Sequence, residues 1–405
     1  MGIYLFKFRI GEYVVGFGLF FLIFVLFLYP KYKHEIGSNI FNTYFLIVFL
    51  FFLNLIINFS SPISTYVFKS SSYIWYISYF FLGYILFSEV RINKKYFYFS
   101  YFALFLIYFL NTVYYPEIFQ NFFLDYADKF QFSKASEISI FYICVAYFSN
   151  RLYSERKLFY LFVITSSLIL PLVIFKSRSA AIAVILFFLF EIWQSRKKID
   201  LNLKNKFILG LIFIVLFSLT SHNLVDNIYT IDETEQAITG VFKHKYVYSN
   251  TYDGELPLFY IYQNRLFSAD GNLNWRLQLW QEGVHTILNE NKLFMGFGYF
   301  EIMPVFNDIN FSTLDKSNTN AHNYILNIFF NGGLSALLVI FLFFYFILKN
   351  KNVSHQNIGL LIYLIPLFFI SMFDGSMENP YFGMMFYLFL SIFFVDKNKV
   401  NGLSL

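Results

Sequence analysis

Long apolar runs broken by short polar turns fill most of the chain, and one polar stretch of about a hundred residues interrupts them. The runs fall at roughly 11–29, 41–59, 73–89, 96–113, 136–150, 158–175, 178–194, 206–221, 323–348, 357–373 and 381–395. Their lengths suit α-helices that cross a bilayer. None keeps the strict alternation of a membrane β-strand. The pattern therefore predicts an all-α polytopic membrane protein with about eleven (ten to twelve) transmembrane helices. The fifth run is short and carries Ser136 and Glu137 at its start. Pro171 and Pro366 fall inside runs, which membrane helices tolerate. No repeat of fixed period and no linker is visible. The chain reads as an N-terminal bundle (1–221), an outward loop domain (222–321) and C-terminal helices (322–405).

Composition agrees. Of the 405 residues, 58% are hydrophobic and 14% are charged, against about 25% charged in a soluble domain; mean hydropathy is +0.56. The 60 Phe and 33 Tyr read as lipid-facing side chains and interfacial belts. The net charge of +5 is spread over loops, so there is no footprint for nucleic acid. The single cysteine, Cys144, lies in an apolar run, which excludes an intrachain disulfide and a cysteine-based metal site. Tyr29-Pro30-Lys31 follows the first run in place of a small-residue cleavage site, so that run is expected to be retained.

The basic residues orient the chain. With the C-terminus inside, the inward segments hold seventeen of the thirty Lys and Arg, the short outward segments seven, and the long loop six. That asymmetry follows the positive-inside rule and places loop 222–321 outside. Eleven spans then put Lys7 and Arg9 outside, against the trend.

The long loop is built for structure. It contains Gly271, Gly283, Gly296 and Gly298, and two of the four tryptophans. Within Trp275–Asn289, Leu277, Trp280, Val284, Ile287 and Leu288 recur at helical spacing, with Gln281, Glu282, His285 and Asn289 opposite. This predicts an amphipathic helix of a kind that can lie on a membrane surface. Arg276 and Trp280 are four residues apart and share one side of it. Met295-Gly-Phe-Gly-Tyr299 reads as a turn. Its glycines also offer a place where backbone N–H groups can approach an anion.

Three residues stand out chemically. Arg178, in Lys176-Ser177-Arg178-Ser179-Ala180, is held by a tight turn at the outer boundary, where a cation costs a few kcal/mol unless paired or snorkelling. Ser179, Ala180, Ala181 and Ala183 follow it and permit close helix packing. Arg276 reads equally as a surface charge or as an anion ligand. His322, at the junction of loop and ninth span, reads as a neighbour of a helix cap or as a proton acceptor. No His-Glu-x-x-His, Gly-x-Ser-x-Gly, phosphate-binding loop or Asp-x-Asp occurs, which disfavours zinc hydrolysis, serine hydrolysis, nucleotide-driven chemistry and metal–diphosphate chemistry. Guanidinium groups clamp a diphosphate in bidentate fashion, and a histidine accepts a proton from an attacking hydroxyl. That kit fits glycosyl transfer from a lipid diphosphate.

The order of the motifs resembles the O-antigen ligase/polymerase superfamily. Ser-Arg-Ser-Ala begins a helix. A long outward loop follows, with Arg276-x-x-x-Trp280 and Gly296-Phe-Gly298. Then come Ala-His-Asn-Tyr…Asn-Gly-Gly (321–333) and Asp374…Asn379-Pro380. The resemblance covers about 175–395. It implies a GT-C-like glycosyltransferase of the bacterial inner membrane, working at the periplasmic face on undecaprenyl-diphosphate-linked glycans with no metal or other cofactor. It implies that Arg178 and Arg276 hold the diphosphate and that His322 is the base for, or orients, the acceptor hydroxyl. Trp280, Gly296, Gly298 and Asn323 are expected to line the substrate. Two branches compete: polymerases of the Wzy type, and ligases that move the finished glycan onto lipid A–core. Ligases continue with Gly-x-x-Thr, where this chain has Gly332-Gly333-Leu334-Ser335-Ala336, so the polymerase is favoured. A chain-length regulator is an expected partner. A flippase or exporter of the same lipid-linked glycan is the non-enzyme alternative; transporters place charges near the midplane and show repeat symmetry, and neither is seen here.

Overall fold

The computed structural model describes residues 4–5, 8–58, 65–90, 92–113, 116–118, 121, 133–153, 155–195, 202–226, 258–262, 264–307, 319–350 and 357–395. Most of them are helical. In chain order the elements are the strands β1 (Tyr4–Leu5) and β2 (Phe8–Arg9), then helices α1 (Ile10–Tyr32), α2 (Ser38–Ile57), α3 (Thr65–Ser70), α4 (Ser72–Glu89), α5 (Lys94–Thr112), α6 (Ala135–Leu152), α7 (Arg156–Lys176), α8 (Arg178–Ser195) and α9 (Leu203–Asp226). After these come β3 (Phe259–Tyr262), β4 (Arg265–Ser268), α10 (Gly271–Asn289), α11 (Pro304–Asn307), α12 (Tyr324–Lys349), α13 (Asn357–Phe373) and α14 (Pro380–Leu390). A helix coincides with every apolar run. Among the described residues, five stretches are long and apolar enough to cross a membrane by themselves: Ile10–Ile57, which joins α1 and α2 through a π-turn at Lys33–Gly37, then α7, α8, Leu203–Leu224 and α12. Ile358–Phe373 and Pro380–Phe394 are shorter apolar helices.

The chain divides into two compact units, Met1–Asn42 with Ser72–Ile228 and Phe343–Leu405, and Thr43–Ser71 with Tyr229–Leu342. This grouping cuts across the three segments expected from the sequence, since α2 and α12 each contribute to both units.

In the first unit α4 and α6 are encased. Every residue of α4 from Ser72 to Phe81 is buried, and so is most of α6. This explains why the fifth apolar run looks weak. A helix surrounded by protein can carry polar side chains if they find partners. Tyr142 Oη lies 2.6 Å from Ser166 Oγ, and Tyr101 Oη 2.8 Å from Ser149 Oγ. Helix α9 is the opposite case. Only 11% of its apolar window is buried, and Leu211, Ile214 and Leu219 are exposed, as suits a helix bathed in lipid. Asn379 caps α14 by accepting from Tyr381 N at 3.1 Å and donates from Nδ2 to Glu137 Oε1 at 2.6 Å. The Asn379-Pro380 motif thus ties α14 to the start of α6.

The second unit centres on α10. The helix begins four residues before the predicted Trp275, because Asp270 caps it by accepting from Leu273 N at 3.0 Å. Its apolar side packs into protein. Leu279 and Ile287 are fully buried in a core with Met303, Val305, Phe306, Ala321 and Phe330, and Trp275, Trp280 and Val284 pack against it. Its polar side is used as well, on the hairpin of β3 and β4, which pair antiparallel from Phe259↔Ser268 to Tyr262↔Arg265. Gln281 accepts from Leu266 N at 2.9 Å and donates to Leu266 O at 2.8 Å; Gln278 Nε2 donates to the same carbonyl at 2.9 Å. Ser268 N donates to Asn274 Oδ1 at 3.0 Å, and Arg265 pairs with Glu282. A side expected to face water instead supplies the hydrogen bonds that hold a strand.

The ninth span is not one continuous helix. At Gly333 the backbone leaves the helical region, with φ 66° and ψ −166°. Such a break exposes main-chain groups that need partners, and the loop after α10 provides them. Leu334 N and Ser335 N donate to Leu293 O and Phe294 O at 2.9 and 3.1 Å; Phe297 N and Gly298 N donate to Phe330 O and Asn331 O at 2.8 and 3.0 Å. The approach is so close that a Cβ on Gly296 would lie 2.6 Å from the Asn331 carbonyl, and one on Gly333 would collide with the Phe294 carbonyl. Asn54, buried within α2, donates to Met295 O and, at 3.4 Å, to Asn331 O. Asn58 Nδ2 reaches Asn54 Oδ1 at 3.1 Å, and Lys292 Nζ reaches Asn58 Oδ1 at 3.2 Å.

Candidate active site

His322 stands in a short segment, 319–323, that the second unit grips at nearly every residue. Tyr66 Oη donates to Thr319 O at 3.0 Å, and Lys69 Nζ donates to Thr319 Oγ1. Ala321 is fully buried. Its N–H donates to Asn327 Oδ1 at 2.7 Å, and its carbonyl accepts the indole N–H of Trp280 at 2.6 Å. The His322 N–H donates to Asn320 Oδ1 at 3.1 Å. Asn323 Oδ1 accepts from Leu326 N at 3.0 Å, which caps α12.

Between these anchors His322 has φ 50°. Left-handed backbone is uncommon for a side chain with a Cβ, and costs about 1–2 kcal/mol. It persists where surrounding contacts over-determine it, often at working sites. The imidazole is half-buried. Its ring centre lies 5.2 Å from that of Trp275, with the planes at 63°, an edge-to-face contact. Trp275 immediately precedes Arg276, which is also half-buried. Candidate base and aromatic wall thus meet near the end of α10 that also carries Arg276.

The other expected site residues divide. Trp280 is beside His322, but its polar edge donates to the main chain of the histidine's own segment. Asn323 places its Oδ1 on the helix cap. Gly296 and Gly298 belong to the seam with α12. The N–H groups of Gly296, Phe297 and Gly298 donate to Lys292 O, Phe330 O and Asn331 O, so this turn shapes backbone and presents no anion nest. Arg178 belongs to the first unit, as the exposed first residue of α8. Ser177 ends α7 in extended conformation and accepts from Ala181 N at 2.9 Å. Ala180, Ala181 and Ala183 are buried, as close packing requires. Lys176, the last residue of α7, donates to Asn111 Oδ1 at 2.7 Å and Ser133 O at 3.0 Å.

Sequence reasoning missed Trp275, Asn320, Asn327 and Asn54 as parts of the site and its support. For Asn327 and Asn54 a signal exists: each is an amide inside an apolar run, where an unpartnered polar group is costly. For Trp275 the only signal is that it precedes Arg276.

Residues 160–341 match the family model for O-antigen ligase. The match begins in α7 and ends within α12, and it takes in Arg178, Arg276, Trp280, Gly296, Gly298, His322 and Asn323. No curated protein matches the chain. The family match supports the O-antigen ligase/polymerase superfamily and, with it, an enzyme of polysaccharide processing in a multi-pass membrane protein.

Proposed function

We propose that the protein is a membrane glycosyltransferase that polymerises O-antigen or a related surface polysaccharide. The donor is a glycan on undecaprenyl diphosphate, and the acceptor is a lipid-linked repeat unit. The acceptor hydroxyl attacks the anomeric carbon of the donor. The new C–O bond forms as the bond from that carbon to the diphosphate breaks, and the hydroxyl proton passes to His322. The leaving undecaprenyl diphosphate keeps the electron pair of the broken bond, and Arg276 and Arg178 balance its charge; Arg178 takes this role from the resemblance alone. The same reading gives eleven crossings, an inner-membrane location and loop 222–321 on the periplasmic side.

The observation that carries the proposal is the way His322 is held, in left-handed backbone between the doubly bonded Ala321 and the cap residue Asn323. A protein does not need that arrangement to end a loop. A rigid hold of this kind suits a general base, which must meet the proton it takes at about 2.6–3.2 Å.

A specific observation favours ligation as the second reading: the family model matched is that of the ligase. Ser335, which stands near the Thr of the ligase pattern, donates its hydroxyl to Gly332 O at 3.0 Å within the helix break, a structural use of the side chain. Gene deletion in the bacterium of origin separates the two. Loss of a polymerase leaves lipid A–core carrying one repeat unit, the expected outcome; bare core establishes the ligase instead.

A further inference from the structure

We propose that Trp280 and Trp275 are positioning residues for His322, the first holding its backbone and the second its ring. The inference rests on the role of His322 proposed above and assigns the neighbours a division of labour. Trp280 is packed against the core of the second unit, so its indole N–H is a fixed donor. It meets the Ala321 carbonyl at 2.6 Å while Asn327 takes the N–H of the same residue at 2.7 Å. Both main-chain polar groups of the residue before His322 are therefore committed, and the next N–H donates to Asn320 Oδ1. This leaves the peptide on the N-terminal side of His322 little freedom to rotate, and φ at His322 is set at 50°. An imidazole on such a backbone points in a direction that ordinary extended or helical φ would not give. Trp275, five residues earlier on α10, then limits rotation of the imidazole through the ring contact at 5.2 Å. The two tryptophans stand on one helix, so backbone and ring are referred to the same rigid element. Trp280, expected from the sequence to touch substrate, acts through the histidine.

The test uses the full-length protein in detergent or vesicles, with two readouts. One is chain extension on lipid-diphosphate-linked repeat units. The other is the rate at which diethyl pyrocarbonate modifies each histidine, mapped by mass spectrometry, which needs no activity. His285, an exposed residue of α10, reports general loosening. Trp280→Phe keeps the ring and removes the donor. It is expected to lower kcat about tenfold while KM stays within about twofold, since misplacing a catalytic group costs rate before binding. Modification of His322 is expected to become several-fold faster, roughly the effect of losing one hydrogen bond, with His285 unchanged. Trp275→Leu, which removes the ring contact, is expected to behave like Trp280→Phe. Unchanged His322 reactivity and kcat in Trp280→Phe and Trp275→Leu overturn the proposal, as does equal acceleration at His285. If His322 reactivity changes while His322→Ala keeps full activity, the positioning role stands and the catalytic role of His322 falls.

Discussion

His322 is the residue on which backbone, packing and chemistry meet. Its φ of 50° is strain that the neighbouring hydrogen bonds hold in place, and strain of this kind is measurable. Glycine adopts left-handed backbone freely, whereas alanine has the same Cβ conflict as histidine. His322→Gly is expected to be more stable than His322→Ala by about 1 kcal/mol, seen as a higher Tm in detergent, with both variants inactive. Alanine the more stable of the pair would show that the backbone there is not strained. The sequence made His322 and Arg276 visible through the order of motifs around them. It could not show the conformation of His322, because left-handed backbone is signalled chiefly by Gly and a histidine carries only a weak mark of it. Nor could it show that the indole of Trp280 faces the main chain, since its acceptor, Ala321, lies far along the chain and is brought near only by folding.

At the scale of elements, helix positions were legible and helix partners were not. Hydropathy over a run of about twenty residues marks a helix whatever it packs on, so α1, α2, α4 to α9 and α12 to α14 fall where the apolar runs do. The amphipathic period marks α10 equally well, but the period alone does not say what each side meets. Its polar side, Gln278 and Gln281 above all, meets β4, and its apolar side meets Phe306, Ala321 and Phe330. The break in α12 was hidden for a similar reason, since the apolar run continues on both sides of Gly333. Gly332-Gly333 looked like a motif fragment; in the fold it is the seam into which 293–298 inserts. Gly333→Ala is therefore expected to destabilise the protein by more than 1 kcal/mol, about the cost of forcing a Cβ into positive φ, with a further penalty for the collision with Phe294. A thermal melt checks this. An unchanged Tm would mean that the helix break does not depend on glycine.

For the whole molecule, the sequence conveyed the class and concealed the grouping. Composition and run length place the chain among multi-pass membrane proteins, and the match over residues 160–341 supports a polysaccharide-processing role. The second compact unit, however, draws residues 43–71 from near the N-terminus into the same unit as the loop and the first part of α12. In the sequence, 41–59 is one more apolar run, and only the amides of Asn54 and Asn58, one helical turn apart, hint that it supports a polar seam. The functional claim for the molecule is that this assembly transfers a glycan from a lipid diphosphate with His322 as the base. The most direct measurement is chain extension by the purified protein on synthetic undecaprenyl-diphosphate-linked repeat units, without ATP, comparing wild type with His322→Ala at equal protein level. The wild type is expected to give a ladder of extended products and the variant a rate at least about 100-fold lower, the loss that follows removal of a general base; a full ladder from His322→Ala would rule out the histidine as the base.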